Sequence, residues 1–208
     1  MRATEAFTSL LQLNRPVVAT AEAASRLEVS NMYASKLLAR LARDGLILRL
    51  RRGLWAVTTQ VNPYTLPPYL TAPYPSYISA WTALYHYGLI DQIPQQIYVV
   101  SLDRSKRIKT PVAVFAVRHI SPTLFEGYTM RDGVLMATPE KALFDAVYLA
   151  SALGKQHAFF PEVEIRKRLN RHQIRRWVRR ISAPRIRLLV ESKIDSILGS
   201  VGRRQSVH

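Results

Sequence analysis

The chain has 208 residues, 48% of them hydrophobic, enough for one large or two modest domains with real cores and too apolar for general disorder. Thirty lysines and arginines stand against 14 acidic residues, a formal net charge of +16, and a pI of about 10.7 points to a polyanionic partner. Cysteine is absent, which excludes disulfides, thiolate zinc sites and cysteine nucleophiles. The charge gathers at both ends: residues 1–60 hold nine basic and four acidic residues, 61–150 seven and six, and 151–208 fourteen and four. The N-terminal residues lack the apolar core of a signal peptide, and no stretch approaches the roughly 18 apolar residues of a bilayer span. A cytoplasmic protein with no membrane partner is expected.

Ala6, Phe7, Leu10, Leu11 and Leu13 share one side of a helix over 3–13, which Pro16 stops. Val17-Val18-Ala19 reads as a short extended segment. Thr20 is the expected N-cap of a short helix carrying Ala21, Ala23, Ala24 and Leu27. Glu28-Val29-Ser30 makes a tight turn. A second helix begins at Asn31, with Met32, Ala34, Leu37, Leu38 and Leu41 as its apolar positions. Neither Thr20 nor Ser30 has Glu or Gln at the third helical position, so no capping box is expected. Asp44-Gly45 follows, then a strand Leu46 to Leu50, a turn Arg51-Arg52-Gly53 and a strand Leu54 to Val57. This order predicts a winged helix-turn-helix over 1–60, the geometry that sets one helix into a DNA major groove with a hairpin beside it.

The first turns of such a helix reach base edges, which makes Ser30, Asn31, Tyr33, Ser35 and Lys36 candidates for readout. Asn pairs with adenine and Lys with guanine, while Ser mostly contacts phosphates. Arg40 and Arg43 lie farther along and suit the backbone. Arg49, Arg51 and Arg52 in the wing suit phosphates or the minor groove. The bland alternative is a helical hairpin whose exposed face merely happens to be basic.

Residues 61–75 contain Pro63, Pro67, Pro68, Pro73 and Pro75, with Tyr64, Tyr69 and Tyr74 among them. They read as a stiff connector laid against a domain. A mixed α/β domain is expected over 76–208. In it Tyr77 to Tyr87 fits a helix, Ile97 to Leu102 and Val112 to Val117 fit strands, and Arg104-Ser105-Lys106-Arg107 fits a turn. Gly133 to Met136 suggests a further strand. Thr138 caps a helix with Pro139 first and Leu143, Phe144, Val147 and Tyr148 along it. Glu140-Lys141 there reads as favourable placement of Glu near a helix N-terminus.

The tail is helical and basic. A stripe from Ile165 to Ile181 runs over Glu162 to Ile181, with Asn170-Arg171 as an interruption. A fresh start at Ser182-Ala183-Pro184 leads to Ile186, Leu189, Val190, Ile194, Ile197 and Leu198 on one face, with Gly199 as the stop. Arg175, Arg176, Arg179 and Arg180 are candidates for a second DNA contact, weighed evenly against a solvated face over a packed stripe. The fold class expected for the whole chain is therefore α+β, an N-terminal winged helix-turn-helix followed by a mixed α/β domain ending in basic helices.

Catalytic patterns are sparse. The five histidines show no metal-ligand spacing, no glycine-rich phosphate loop is present, and no metal or cofactor is expected. Glu191-Ser192-Lys193, with Asp103 or Asp132 as a second carboxylate, has the composition of a metal-dependent nuclease site. It lies in a predicted helix, where exposed Glu and Lys are common, and a non-enzymatic reading is favoured.

Two middle motifs carry a family resemblance. Tyr77-Ile78-Ser79, then Ala83-Leu84, then His86-Tyr87-Gly88-Leu89 and the exit Gln92-Ile93-Pro94 resemble the AbiEi family, the antitoxins and transcriptional regulators of type IV abortive-infection toxin–antitoxin systems. Ile97-Tyr98-Val99-Val100 is similar to the family's following strand, and Ala137 to Asp145 to its Pro-Glu-Lys-Ala-Leu helix start. The resemblance covers about residues 5 to 200. It implies an autorepressing phage-defence antitoxin that binds promoter duplex DNA as a repressor. It also implies a cognate nucleotidyltransferase-like toxin, countered without a stable complex. A stand-alone winged-helix transcription factor and a nuclease remain as alternatives.

Overall fold

The computed structural model describes residues 3–153 and 169–204. The chain divides into two compact units, one of residues 1–69 with 109–113, the other of 70–108 with 114–208. The protein is α+β.

The first unit holds three helices, α1 (Ala3–Leu11), α2 (Thr20–Arg26) and α3 (Asn31–Arg43), and three strands, β1 (Val17–Ala19), β2 (Leu48–Arg51) and β3 (Leu54–Ala56). The strands form an antiparallel sheet in the order β1-β3-β2. Leu10 of α1, Val18 of β1, Ala23 of α2, Leu38 and Leu41 of α3, and Trp55 of β3 close one core. Helical spacing on α3 aims Leu38 and Leu41 inward together, and β3 is buried along its whole length.

Two local expectations change. Thr20 does not cap α2. Ala19 does, and the Glu22 carboxylate accepts from its N–H at 3.5 Å, half of a capping box. The Thr20 hydroxyl instead accepts from the Trp55 indole N–H at 2.9 Å, tying β3 to the start of α2. Met32 is not a core residue of α3 but lies exposed. After β3, residues expected to form a connector carry a 3-10 turn at Pro63–Thr65 and the short helix α4 (Pro67–Thr71). Leu66 and Leu70 there are fully buried.

The second unit is built on a six-stranded mixed sheet. Its strands are β4 (Ser76–Ile78), β5 (Ile97–Ser101), β6 (Lys106–Lys109), β7 (Val114–His119), β8 (Tyr128–Arg131) and β9 (Val134–Ala137), in the order β6-β7-β5-β4-β9-β8. Ser76, Tyr77 and Ile78 thus belong to a central strand, not to the helix expected over Tyr77–Tyr87. They pair antiparallel with β5, and Ile78 pairs parallel with Met136 of β9. Burial on both faces makes such a strand read as a continuous apolar run, which helix periodicity also fits. The helix α5 (Ala80–His86) begins only after Ser79. Arg104–Arg107 is not a simple turn, since β6 takes in Lys106 and Arg107 at the sheet edge, where charged side chains discourage further pairing.

The helix α6 (Pro139–Leu153) packs against α5 and β9, and α7 (Arg171–Arg179) and α8 (Pro184–Arg204) pack on α6 and on each other. Thr138 and Pro139 open α6 as expected, with the Thr138 hydroxyl accepting from the Lys141 N–H at 3.3 Å. Glu140 reaches farther than its helix start, accepting from the Asn170 N–H at 3.1 Å just before α7. Gly199 does not stop α8, which continues to Arg204. Val190, Ile194 and Leu198 are buried along it, and packing outweighs the cost of about 1 kcal/mol for an interior glycine. Leu189, expected on the buried face, is half exposed. The part of the expected tail helix from Glu162 to Arg168 lies outside the described residues.

Glu126 anchors α7. Its Oε1 accepts from the Trp177 indole N–H at 2.6 Å and lies 2.8 Å from Arg180 Nη1 and 3.2 Å from Arg176 Nη2. Gly127 makes the approach possible: a β-carbon there would sit 2.6 Å from Trp177 Cζ2, and its φ is +77°. Partial burial pushes the Glu126 carboxyl up, but the indole and the two guanidiniums more than reverse it, leaving it below its ordinary value of 4.5. A depressed carboxylate stabilises the fold above its unfolded value, and that contribution is lost as pH falls through the folded one. Glu126→Gln is therefore expected to lower the urea midpoint at pH 7, with the gap to wild type closing as pH falls below about 4.5. Urea melts at stepped pH check this; a gap that stays constant to pH 3 contradicts the ion-pair account.

Candidate nucleic-acid interface

Residues 30–52 contain Lys36, Arg40, Arg43, Arg49, Arg51 and Arg52 against a single acid, Asp44. The fold places all six on two neighbouring elements of the first unit, α3 and the β2–β3 hairpin, and leaves each of them exposed.

The turn into α3 is fixed by its backbone. Glu28 adopts a left-handed φ of 55°, and the Val29 N–H returns to the Ala24 carbonyl at 3.0 Å. Ser30 is the N-cap, its Oγ accepting from the Tyr33 N–H at 3.3 Å. That bond satisfies one orphan donor of the first turn, so Ser30 works for the helix as well as standing beside its tip. Asn31, Tyr33, Ser35 and Lys36 are exposed in the first two turns. Ala34, Leu37, Leu38 and Leu41 are buried on the opposite face. Arg40 lies 3.9 Å from Asp44, and Arg40 and Arg43 occupy the last turn, where cations complement the helix dipole. Those two arginines thus have a local role whatever they touch.

The hairpin presents its cations differently. Leu48 faces Ala56 and Arg49 faces Trp55, but Arg51 faces Leu54, so the register slips at Leu50. A slip of this kind twists the strand end and re-aims the residues beyond it. The Arg49 guanidinium stacks over the Trp55 ring, 5.5 Å from its centroid, so this arginine is held in place by the core. Arg51 and Arg52 stand at the tip, where Gly53 takes the positive φ of 77° that the turn requires.

A row of side-chain donors on a helix, beside a cationic hairpin, has the chemistry to receive phosphates and acceptor-rich base edges.

The basic tail is arranged otherwise. Arg176 and Arg180 are engaged with Glu126, and Arg175 lies 3.7 Å from Asp195 of α8. Arg179 is exposed. Three of these four candidates thus pair within the second unit. The residues weighed as a nuclease site lie on separate elements. Asp103 is ion-paired with Lys106 before β6, Asp132 sits in the β8–β9 turn with a φ of 51°, and Glu191 and Lys193 are on the exposed side of α8. Among the described residues no three His, Asp or Glu side chains gather as a metal site. No helix there is long and apolar enough to cross a membrane.

Sequence reasoning missed a buried polar cluster in the second unit. Lys141 and Asp145 of α6 form an ion pair with both side chains fully buried. Asp145 also accepts from the Ser79 hydroxyl at 2.7 Å and the Tyr77 hydroxyl at 3.1 Å. The ammonium faces the Phe144 ring at 4.8 Å and the Trp177 ring at 5.5 Å. Burial pushes Asp145 up and Lys141 down, while their mutual contact opposes both shifts. Burial, reinforced by the Asp145 charge, pushes the Tyr77 phenol upward, so it remains a donor. The i,i+4 spacing of Lys141 and Asp145 was a visible signal; their burial was not.

No curated protein matches this chain. Over residues 8–58, from the middle of α1 to just beyond β3 and including both α3 and the hairpin, the chain matches the family described as a transcriptional regulator, the AbiEi antitoxin.

Proposed function

We propose that the protein is a DNA-binding transcriptional regulator whose first unit acts as a winged helix-turn-helix, with α3 in the major groove and the β2–β3 hairpin as the wing. The observation that carries this reading is the set of six exposed cations on α3 and the neighbouring hairpin, which lies inside the stretch matched to a regulator family. Asn31, Tyr33, Ser35 and Lys36 read base edges, with Ser30 at the helix tip. Arg40, Arg43, Arg49, Arg51 and Arg52 hold phosphates. The residues that would contact DNA end near residue 60, and the proline-rich segment 61–75 carries the chain from the first unit into the second.

Within that reading the protein is the cytoplasmic, autorepressing antitoxin of a type IV abortive-infection system. It binds its own promoter and counters a nucleotidyltransferase-like toxin without a stable complex. The full chain should bind duplex from just upstream of its own coding sequence more tightly than a shuffled duplex of equal composition, and should lower a reporter driven by that segment. Equal affinity for both duplexes with no repression overturns the proposal. A second reading is a stand-alone regulator, since the matched stretch, residues 8–58, holds both α3 and the hairpin. Rescue of growth when the protein is co-expressed with the product of the adjoining gene separates the two.

A further inference from the structure

We propose that Met32 is a specificity-determining residue of this interface, contacting the C5-methyl group of a thymine in the major groove. The inference deepens the duplex-binding reading of α3 and rests on it.

Met32 is 70% exposed, the most exposed large apolar side chain among the described residues. Hydropathy alone assigns it to the core. The helix does not, because Met32, Lys36, Ala39 and Arg43 follow one another at spacings of four, three and four. At about 3.6 residues per turn these positions form one line down the helix, opposite buried Ala34, Leu37, Leu38 and Leu41. A long apolar side chain therefore heads the outward stripe that also carries Lys36 and Arg43.

Its place on the helix fits base contact rather than phosphate contact. Met32 is the second residue of α3, one turn before Lys36, and N-terminal residues of a helix laid in the major groove reach base edges. A thioether has no donor and is only a weak acceptor, so it has little to offer a phosphate. Thymine presents a methyl group in the major groove, and apolar side chains recognise it. Lys36, four residues on, lies about 6 Å farther along the axis. With a rise of about 3.4 Å per base pair, a thymine read by Met32 falls within about two base pairs of a guanine read by Lys36.

The test uses the full-length chain and a duplex selected by it from a randomised library. Each thymine of that duplex is replaced in turn by deoxyuridine, which removes only the methyl group. Wild type is expected to lose about 3- to 10-fold in affinity at one thymine. Met32→Ala is expected to lose a similar factor on the thymine duplex and to bind the two duplexes equally. Met32→Gln is expected to shift selection at that position from thymine toward adenine. Because Met32 is exposed, both variants should melt with wild type by circular dichroism. If wild type is indifferent to every thymine-to-uracil exchange, or if Met32→Ala keeps the wild-type ratio, the inference is overturned while duplex binding stands. If the chain binds no duplex at low salt, the regulator reading falls and this inference with it.

Discussion

Lys141→Ala is expected to destabilise the protein by about 3–5 kcal/mol, because removing one partner of a buried ion pair leaves the other uncompensated. Asp145 would then be a fully buried carboxylate whose remaining donors are the Tyr77 and Ser79 hydroxyls. The lysine stem adds to the loss, since the ammonium lies over Phe144 and Trp177 and its Cγ is 3.1 Å from the position of a β-carbon on Gly127. The loss should appear as a lowered urea midpoint of the full chain. A companion variant separates charge from packing. Lys141→Met with Asp145→Asn keeps the volume and leaves an acceptor for Tyr77 and Ser79, and it should recover most of the loss. If Lys141→Ala costs less than about 1 kcal/mol, as a surface change would, the pair is not buried as described.

Lys36→Ala and Arg52→Ala are expected to divide specificity from affinity. Lys36 stands in the second turn of α3 and Arg52 at the hairpin tip. A lost base contact should cost about 1–3 kcal/mol on the preferred duplex and little on a random one. A lost phosphate contact should weaken both alike. Anisotropy titrations of the two variants on both duplexes measure the difference. Equal losses for Lys36→Ala on the two duplexes contradict its role as a reader.

Much of the first unit is legible because its periods are dense. Leu37, Leu38 and Leu41 mark the inner face of α3, Pro16 ends α1, Ser30 opens α3, and Gly53 marks the hairpin turn. Each is a local rule, and each agrees with its neighbours. Met32 escaped because hydropathy does not distinguish a core residue from an apolar group on an outer face. Its place in the stripe with Lys36 and Arg43 was the better signal.

The second unit is less legible because its decisive contacts are remote in sequence. Tyr77 and Ile78 fit helical spacing, and only the flanking strands β5 and β9 make them a strand. The edge strand β6 is too polar to announce itself. The cluster of Tyr77, Ser79, Lys141 and Asp145 joins two segments more than sixty residues apart. Those segments are the two middle motifs that carry the family resemblance. Their meeting gives the motif residues a structural role, in which Tyr77 and Ser79 supply hydroxyl donors to the carboxylate that neutralises Lys141.

The most direct measurement of the central claim, that the exposed cations of α3 and the hairpin hold duplex DNA, is the salt dependence of binding. Each neutralised phosphate should contribute about −0.9 to the slope of log affinity against log salt. The full chain is predicted to bind duplex at low salt with a slope of several phosphates, and Arg51→Ala with Arg52→Ala to flatten that slope by up to about two phosphates while leaving the melt unchanged. Absence of duplex binding at low salt, or a slope that the double variant leaves untouched, would contradict it.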